Sequence, residues 1–437
     1  MSNNNGNGNS QTGSSFVIGT DAPMASVTSF SVQVSSVDAF TASDCSGTGV
    51  SLVSGTPTVD FARFNGLQTL LDMNDVAAGT YNCVTVTLGP ATLGFLDTSS
   101  AEPTITTETA TLTTNTITAP LTNPMVVATD SAPVGLHLDF DLRKSIEVDG
   151  SGNITGTVDP TFNIKAVNNS DPGAYIDEFD AAVLAAPASG AQSFMIQGPH
   201  GRQFTVNVNG STEWDGGAIT DLTSNSIVQV SGTLDRADAT IDADEVAILS
   251  DSGFYAAGQV TYVTPSTGAA SSFDLYVRGT LPANTGVTDG DIATIELGGT
   301  EKYSIYWMHG PLAQFLFNAS GLLPGQHIAV GGPASGAASS SDVTVKRVSL
   351  RDWGFNGTVV PSSVSTSNGT FQMQVNGFAG VLIPQTVTVY ITNACKFRNG
   401  WSGLSDVTDN VRVVGLLLKN PVNGNEVIVG HYVDDMN

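Results

Sequence analysis

Leu136-His-Leu-Asp-Phe-Asp-Leu142 alternates apolar and polar residues one by one. Successive side chains of a strand leave opposite faces, so Leu136, Leu138, Phe140 and Leu142 point one way and His137, Asp139 and Asp141 the other. Phe30-Ser-Val-Gln-Val34 and Thr80-Tyr-Asn-Cys-Val-Thr-Val-Thr-Leu88 repeat that period. Turn residues break the runs at Ala78-Gly79, Gly89-Pro90, Asn123-Pro124 and Asp149-Gly-Ser-Gly-Asn153. Residues 16–170 are therefore expected to form an antiparallel β-sandwich, Ig-like or prealbumin-like. Only Leu67 to Asn74 reads as a short helix.

Composition widens this reading to the whole chain. At 437 residues it exceeds what one core organises, so several modules are expected. Charged residues are only 13% and the helix formers Glu, Lys, Leu and Arg are scarce, while 41% hydrophobic content separates the chain from a disordered Ser/Thr/Gly-rich stalk. The class is all-β.

The remainder carries an internal repeat. Val228-Gln-Val-Ser-Gly232, Ile328-Ala-Val-Gly-Gly332 and Val411-Arg-Val-Val-Gly415 mark one strand in each of three copies. Each is preceded by an aromatic residue (Trp214, Phe317, Trp401) and a leucine (Leu222, Leu322, Leu404), and followed by a further apolar strand. Five or six short strands per copy would leave open edges unless the sheet closes, so three small β-barrels are predicted at 180–252, 256–352 and 355–435. Pro282 to Glu301 and Asn393 to Gly400 read as insertions into the second and third copies. Trp353, in the link between those copies, is placed to pack between modules.

Gly19-Thr-Asp-Ala-Pro23, Val59-Asp-Phe-Ala-Arg-Phe-Asn-Gly-Leu67, Ala78-Gly-Thr-Tyr81 and Leu138-Asp-Phe-Asp-Leu142, in that order, give the first third of the chain a resemblance to a bacterial family, domain of unknown function 4382. The repeats, above all His200-Gly-Arg-Gln-Phe204 and Ser211-Thr-Glu-Trp214, resemble a second one, domain of unknown function 5666. These resemblances imply an extracytoplasmic β-sandwich and a lipoprotein-type bacterial surface protein. They imply no activity.

The formal charge of −25, from 40 acidic and 15 basic residues, disfavours nucleic acid and anionic membrane surfaces as partners. No apolar run approaches the length of a membrane span. After Met1, Ser2 to Ser15 is a Gly/Asn/Ser-rich flexible linker, read either as the tether behind a native lipid anchor or as a plain disordered tail. Cys45 and Cys83 fall in one module and are expected to pair in an oxidising compartment, leaving Cys395 as a buried, inert thiol.

Catalytic signatures are missing. The five histidines (His137, His200, His309, His327, His431) lack paired ligand spacing, and no nucleophile elbow or phosphate-binding glycine loop occurs. Weak cation candidates are Asp139 and Asp141 on one strand face, Asp149 and Asn153 in one turn, and Asp289 and Asp291 in another; their oxygen chemistry suits calcium. A solvated strand face and ordinary hairpin turns account for the same residues, and no cofactor is assigned. Trp214, Phe317 and Trp401 are read as barrel plugs in preference to sugar platforms. The functional expectation is a non-enzymatic protein of the cell surface, periplasm or secreted fraction, for binding or display of a carbohydrate or protein ligand. The alternatives are a self-associating subunit of a surface layer or filament and, less favoured, a hydrolase with a loop-built active site.

Overall fold

The computed structural model of the chain describes residues 12–22, 27–64, 69–97, 100, 102–128, 134–149, 154–167, 175–198, 203–224, 226–235, 240–250, 253–281, 287–305, 315–333, 343–383, 386–398 and 400–436. Thirty strands dominate it, and no described helix is long and apolar enough to cross a membrane. The all-β architecture is as the alternation predicts.

Twelve strands build the first module: β1 (Thr12–Ala22), β2 (Val27–Phe40), β3 (Val50–Ser51), β4 (Thr58–Asp60), β5 (Thr69–Ala77), β6 (Gly79–Asp97), β7 (Thr104–Leu112), β8 (Thr116–Val127), β9 (Val134–Asp141), β10 (Ile146–Val148), β11 (Ile154–Val158) and β12 (Phe162–Val167). A four-stranded sheet in the order β12-β9-β1-β5 faces an eight-stranded one with the path β10-β11-β7-β6-β2-β3. Between them lies one core in which Phe30, Phe61 and Phe140 are fully buried; the Phe30 ring packs on Phe140, and Phe61 and Phe140 both meet Phe162. Leu136, Leu138, Phe140 and Leu142 all point into it.

Three local readings change. The stretch from Leu67 to Asn74, read as a helix, is strand from Thr69 onward, because Thr69 to Ala77 ladders along β1 and pairing overrides local propensity. β1 starts at Thr12, inside the stretch read as linker, since Gly13, Ser14 and Ser15 are drawn into pairing with Val76, Asp75 and Asn74. Two contacts, β1 with β9 and β7 with β11, run parallel inside the otherwise antiparallel sandwich.

The barrels share one wiring. The first has β13 (Tyr175–Val183), β14 (Ser193–Gln197), β15 (Gln203–Asn207), β16 (Glu213–Asp215), β17 (Ile227–Asp235) and β18 (Thr240–Ser250). The second has β19 (Gly253–Thr264), β20 (Ser272–Leu281), β21 (Ile292–Glu296), β22 (Lys302–Ile305), β23 (His327–Pro333), β24 (Val343–Thr344) and β25 (Arg347–Arg351). The third has β26 (Trp353–Val359), β27 (Thr370–Asn376), β28 (Thr386–Arg398), β29 (Asn410–Lys419) and β30 (Glu426–Asp435). Counting within a copy, strand one pairs with two and four, two with three, and five with four, all antiparallel, while three closes onto five in parallel. In the second copy β24 and β25 together supply strand five.

Both supposed insertions belong to this plan. Pro282 to Glu301 contains β21, the third strand, whose Ile292-Ala-Thr-Ile-Glu296 lacks clean alternation and so gave no periodic signal. Asn393 to Gly400 is largely the far half of β28, which bulges and then resumes along β30. The aromatic equivalence shifts accordingly. Trp214, Tyr303 and Phe397 occupy matching positions, paired with Val246, Val348 and Val433 of strand five. Phe317 and Trp401 instead lead into the 3-10 turns Ala319–Gly321 and Leu404–Asp406. Leu222, Leu322 and Val407, not Leu404, end the three turns as buried plugs.

The glycine of the strand-four signature has a steric reason. At Gly232 and Gly415 the ladder bulges, and an added Cβ would overlap the carbonyl oxygens of Asp242 and Val429. Because those atoms are backbone within a closed ladder, Gly415→Ala should cost at least about 1–3 kcal/mol. Chemical denaturation of the variant checks this; an unchanged midpoint would show that the bulge relaxes freely.

Candidate functional site

The modules are not beads on a string, and the chemistry-bearing side chains gather where they meet. The second barrel is the hub. In Ser272-Phe-Asp-Leu-Tyr-Val-Arg278, Phe273, Leu275 and Val277 fill the barrel while Asp274, Tyr276 and Arg278 point outward, yet all three outward residues are buried. Arg278 Nη1 lies 3.3 Å from Asp60 Oδ2 of the sandwich, its Nε donates to Gln259 Oε1, and its guanidinium stacks 5.1 Å from the Tyr276 ring and 4.9 Å from Trp353. Asp60 Oδ1 meanwhile accepts the backbone N–H groups of Phe30 and Ala62.

A row of neighbouring polar residues crosses this face: Tyr276, Gln259, His327 and Arg351 sit side by side on four adjacent strands. His327 Nδ1 is 2.9 Å from the Asp352 carbonyl oxygen and its ring lies 4.9 Å from Trp353. Asp352 Oδ2 is 2.7 Å from Nδ1 of the buried His431. Trp353 thus packs between modules, as its place in the link predicts.

The first barrel joins through an apolar seam. Ile227, Ala247 and Leu249 pack on Tyr255, Ala257, Leu281 and Ala329, and Gly331 brings the backbone so close that a Cβ there would overlap the Leu249 carbonyl oxygen. Asp180 accepts from Gln229 Nε2 at 2.7 Å and from Tyr255 OH at 3.0 Å. Asp215 accepts from Ser304; burial raises its carboxyl, opposed by the nearby Arg351 and Arg347. The third barrel goes further: Leu416, Leu418, Val427 and Val429 join the core of the second barrel, and Gln326 Nε2 donates to the Leu417 carbonyl oxygen.

A last cluster lies on the third barrel. Asp434 takes Arg398 Nε at 2.6 Å and Nη2 at 2.9 Å, and Arg412 Nε at 3.0 Å. Burial alone would raise this carboxyl, but the two guanidiniums outweigh it and hold it below its ordinary value. Burial, with Asp434 adding, pushes the half-buried Cys395 thiol up to about 12, which suits an inert cysteine. Cys45 and Cys83 form a disulfide inside the sandwich.

The cation candidates are placed but not assembled. His137, Asp139 and Asp141 do share a face, but it is not the solvated one expected: His137 and Asp139 are half-buried, and Arg412 of the third barrel acts on Asp139 together with Lys165. Asp289 accepts from Thr280, Asp149 lies at the end of β10, and Asn153, His200 and His309 fall outside the described residues. Among the described residues no group of three or more His, Cys, Asp or Glu could hold a metal ion. Trp214 and Trp401 lean half-buried on their barrel cores and Phe317 is buried, so none forms an open platform.

Burial, with Lys165 adding, pushes His137 down to about 4, and its Nε2 is enclosed without a hydrogen-bond partner. The unfolded chain therefore binds a proton here that the fold refuses between about pH 6.5 and 4. This contribution is intact above that window and is lost as pH falls through it, by at most about 3 kcal/mol. Asp139, raised by burial and by Asp141, acts in the opposite sense and only toward the acidic end. Thermal melts from pH 7 to 4 should fall more steeply for the native chain than for His137→Gln; parallel curves would show that His137 titrates normally.

The hub residues were invisible to sequence reasoning because a period of two marks which residues point outward, not which outward residues another module covers. The one available signal was chemical: Asp274, Tyr276 and Arg278 on one strand face, in a chain with so few basic residues. No curated protein matches this chain. Residues 14–155, which hold the sandwich up to the start of β11, match the family model described as Domain of unknown function (DUF4382).

Proposed function

We propose that this chain is a non-enzymatic extracytoplasmic protein for binding or display, its four modules fixed together as one scaffold that recognises its ligand on barrel faces. The observation that carries this reading is the fate of one equivalent surface, the outer face of strands two and three. In the second barrel the strand-two half of that face, with Asp274, Tyr276 and Arg278, is buried and joined to the sandwich by the Arg278–Asp60 pair, while Thr294 and Glu296 of strand three stay partly or fully exposed. In the first barrel it presents Ser193, Met195, Gln197, Gln203, Thr205 and Asn207, and in the third Gln372, Gln374 and Thr386, all partly or fully exposed and all uncharged.

The strand order and parallel closure are those of five-stranded Greek-key barrels of the OB type, which present this face to oligonucleotides and oligosaccharides. That is an analogy of fold alone. The charge of −25 turns it from oligonucleotides toward neutral ligands. The Cys45–Cys83 disulfide supports an oxidising compartment. His431 and Asp352, which resemble half of a catalytic triad, are enclosed at the seam between barrels and serve there as a structural pair.

Size-exclusion chromatography with light scattering, run beside a glycan array on the full chain, tests this reading. A monomer with saturable binding supports it. A concentration-dependent series of oligomers without ligand binding would replace it by self-assembly into a layer or filament. Turnover of generic esterase, glycosidase or peptidase substrates, abolished by one Ser or Asp substitution, would replace it by a hydrolase.

A further inference from the structure

From Trp353 to Cys395 the chain contains no Asp, Glu, Lys, Arg or His, although it is otherwise strongly acidic. This run forms the first two strands of the third barrel and the third up to Cys395, and hence the whole stretch over which strands two and three pair, Thr370–Gln374 with Thr386–Tyr390. Phe371, Met373, Val375, Val387 and Val389 fill the barrel, leaving Thr370, Gln372, Gln374, Thr386, Thr388 and Tyr390 outward. They stand in cross-strand pairs: Thr370 with Tyr390, Gln372 with Thr388, and Gln374 with Thr386, whose hydroxyl donates to Gln374 Oε1 at 3.1 Å. Amide and hydroxyl groups thus recur about 7 Å apart along each strand and about 5 Å apart across the pair.

The same rows continue onto apolar ground. Tyr390 neighbours Val429 and Thr388 neighbours Val427, and both valines lie under the second barrel. Tyr390 is half-buried against that cluster, so its ring marks a step where the second barrel rises beside the polar face. Asn420 Nδ2 reaches the Tyr390 hydroxyl at 3.4 Å from the loop joining strands four and five, whose tip residue Val422 is 92% exposed. The first barrel offers no such neutral field, since Asn207 there pairs with Asp242 and Asp244 lies exposed close by.

We infer that the β27–β28 face of the third barrel is a binding site for a neutral, polyhydroxylated ligand, an uncharged oligosaccharide. Amides and hydroxyls donate to and accept from sugar hydroxyls without the desolvation cost that a charged side chain imposes, and an aromatic ring edged by apolar residues takes the apolar face of a sugar ring. An anionic glycan would approach a net-negative protein at paired rows that carry no cation to receive it. The inference rests on the binding reading above and deepens it by naming the face and the ligand chemistry.

The test uses the full chain on an array of neutral and acidic oligosaccharides, followed by calorimetry with the strongest neutral one. Gln372→Ala with Gln374→Ala should weaken binding at least tenfold with an unchanged melting temperature. Gln374→Glu, isosteric but charged, should weaken it similarly, whereas Thr116→Ala with Thr118→Ala on the sandwich should leave it intact. Loss of binding only when Gln203 and Thr205 of the first barrel are replaced would overturn the site and spare the binding function. Binding confined to acidic glycans would overturn the ligand chemistry. No glycan binding at all, with the chain monomeric and a protein ligand captured instead, would overturn this inference alone. A dimer that the Gln372 and Gln374 variants dissociate would give the face to a second copy and end the proposal.

Discussion

Arg278→Met should lower the stability of the chain by about 3–5 kcal/mol and split its unfolding into separate steps. The side chain is 2% exposed and holds three modules together: Asp60 belongs to the sandwich, Gln259 and Tyr276 to the second barrel, and Trp353 to the third. Removing the cation takes from the Asp60 carboxylate its partner across a desolvated seam, and losing one member of a buried pair costs far more than the pair contributes. Met keeps much of the volume and its sulfur still packs on Trp353, so the loss reports the charge rather than a cavity. Asp60→Asn with Arg278→Met should recover part of the loss. Calorimetry reads both results: one cooperative transition persisting in Arg278→Met would show that the apolar seams alone couple the modules.

Cys83→Ala is expected to cost about 3–4 kcal/mol, all of it in the sandwich. The bridge to Cys45 closes a separation of 38 residues, and cross-linking a loop of that size removes entropy from the unfolded chain by roughly that amount. Reductant should bring the native chain to the stability of the variant and leave the variant unmoved. The two effects are linked. While Arg278 couples the modules, the reduced protein should melt in one earlier transition, whereas in Arg278→Met only the sandwich step should answer to reductant. A native chain indifferent to reductant would mean that the Cys45–Cys83 bond contributes nothing to the fold.

The alternation at Leu136 to Leu142 announced its buried face correctly, because a strand's period is fixed by backbone geometry. The V-x-V-x-G signature likewise marked strand four in all three copies, and its glycine is dictated by a local overlap of backbone atoms. Where alternation is weak, period does not find the strand: β21 looks like an insertion, and β5, which owes its form to pairing with β1, like a helix. Order along the chain sets Trp214 beside Phe317 and Trp401, although its equivalents in space are Tyr303 and Phe397.

Side-chain period and short-range sterics suffice for the all-β class, the repeat and which residues turn inward. Only the assembled modules bring Arg412 of the third barrel to act on Asp139, Arg278 onto Asp60 some two hundred residues away, and a neighbour over strand two of one barrel while the same strand of its copies stays open. Those choices depend on which surfaces lose their water to one another, and no local pattern of residues records that.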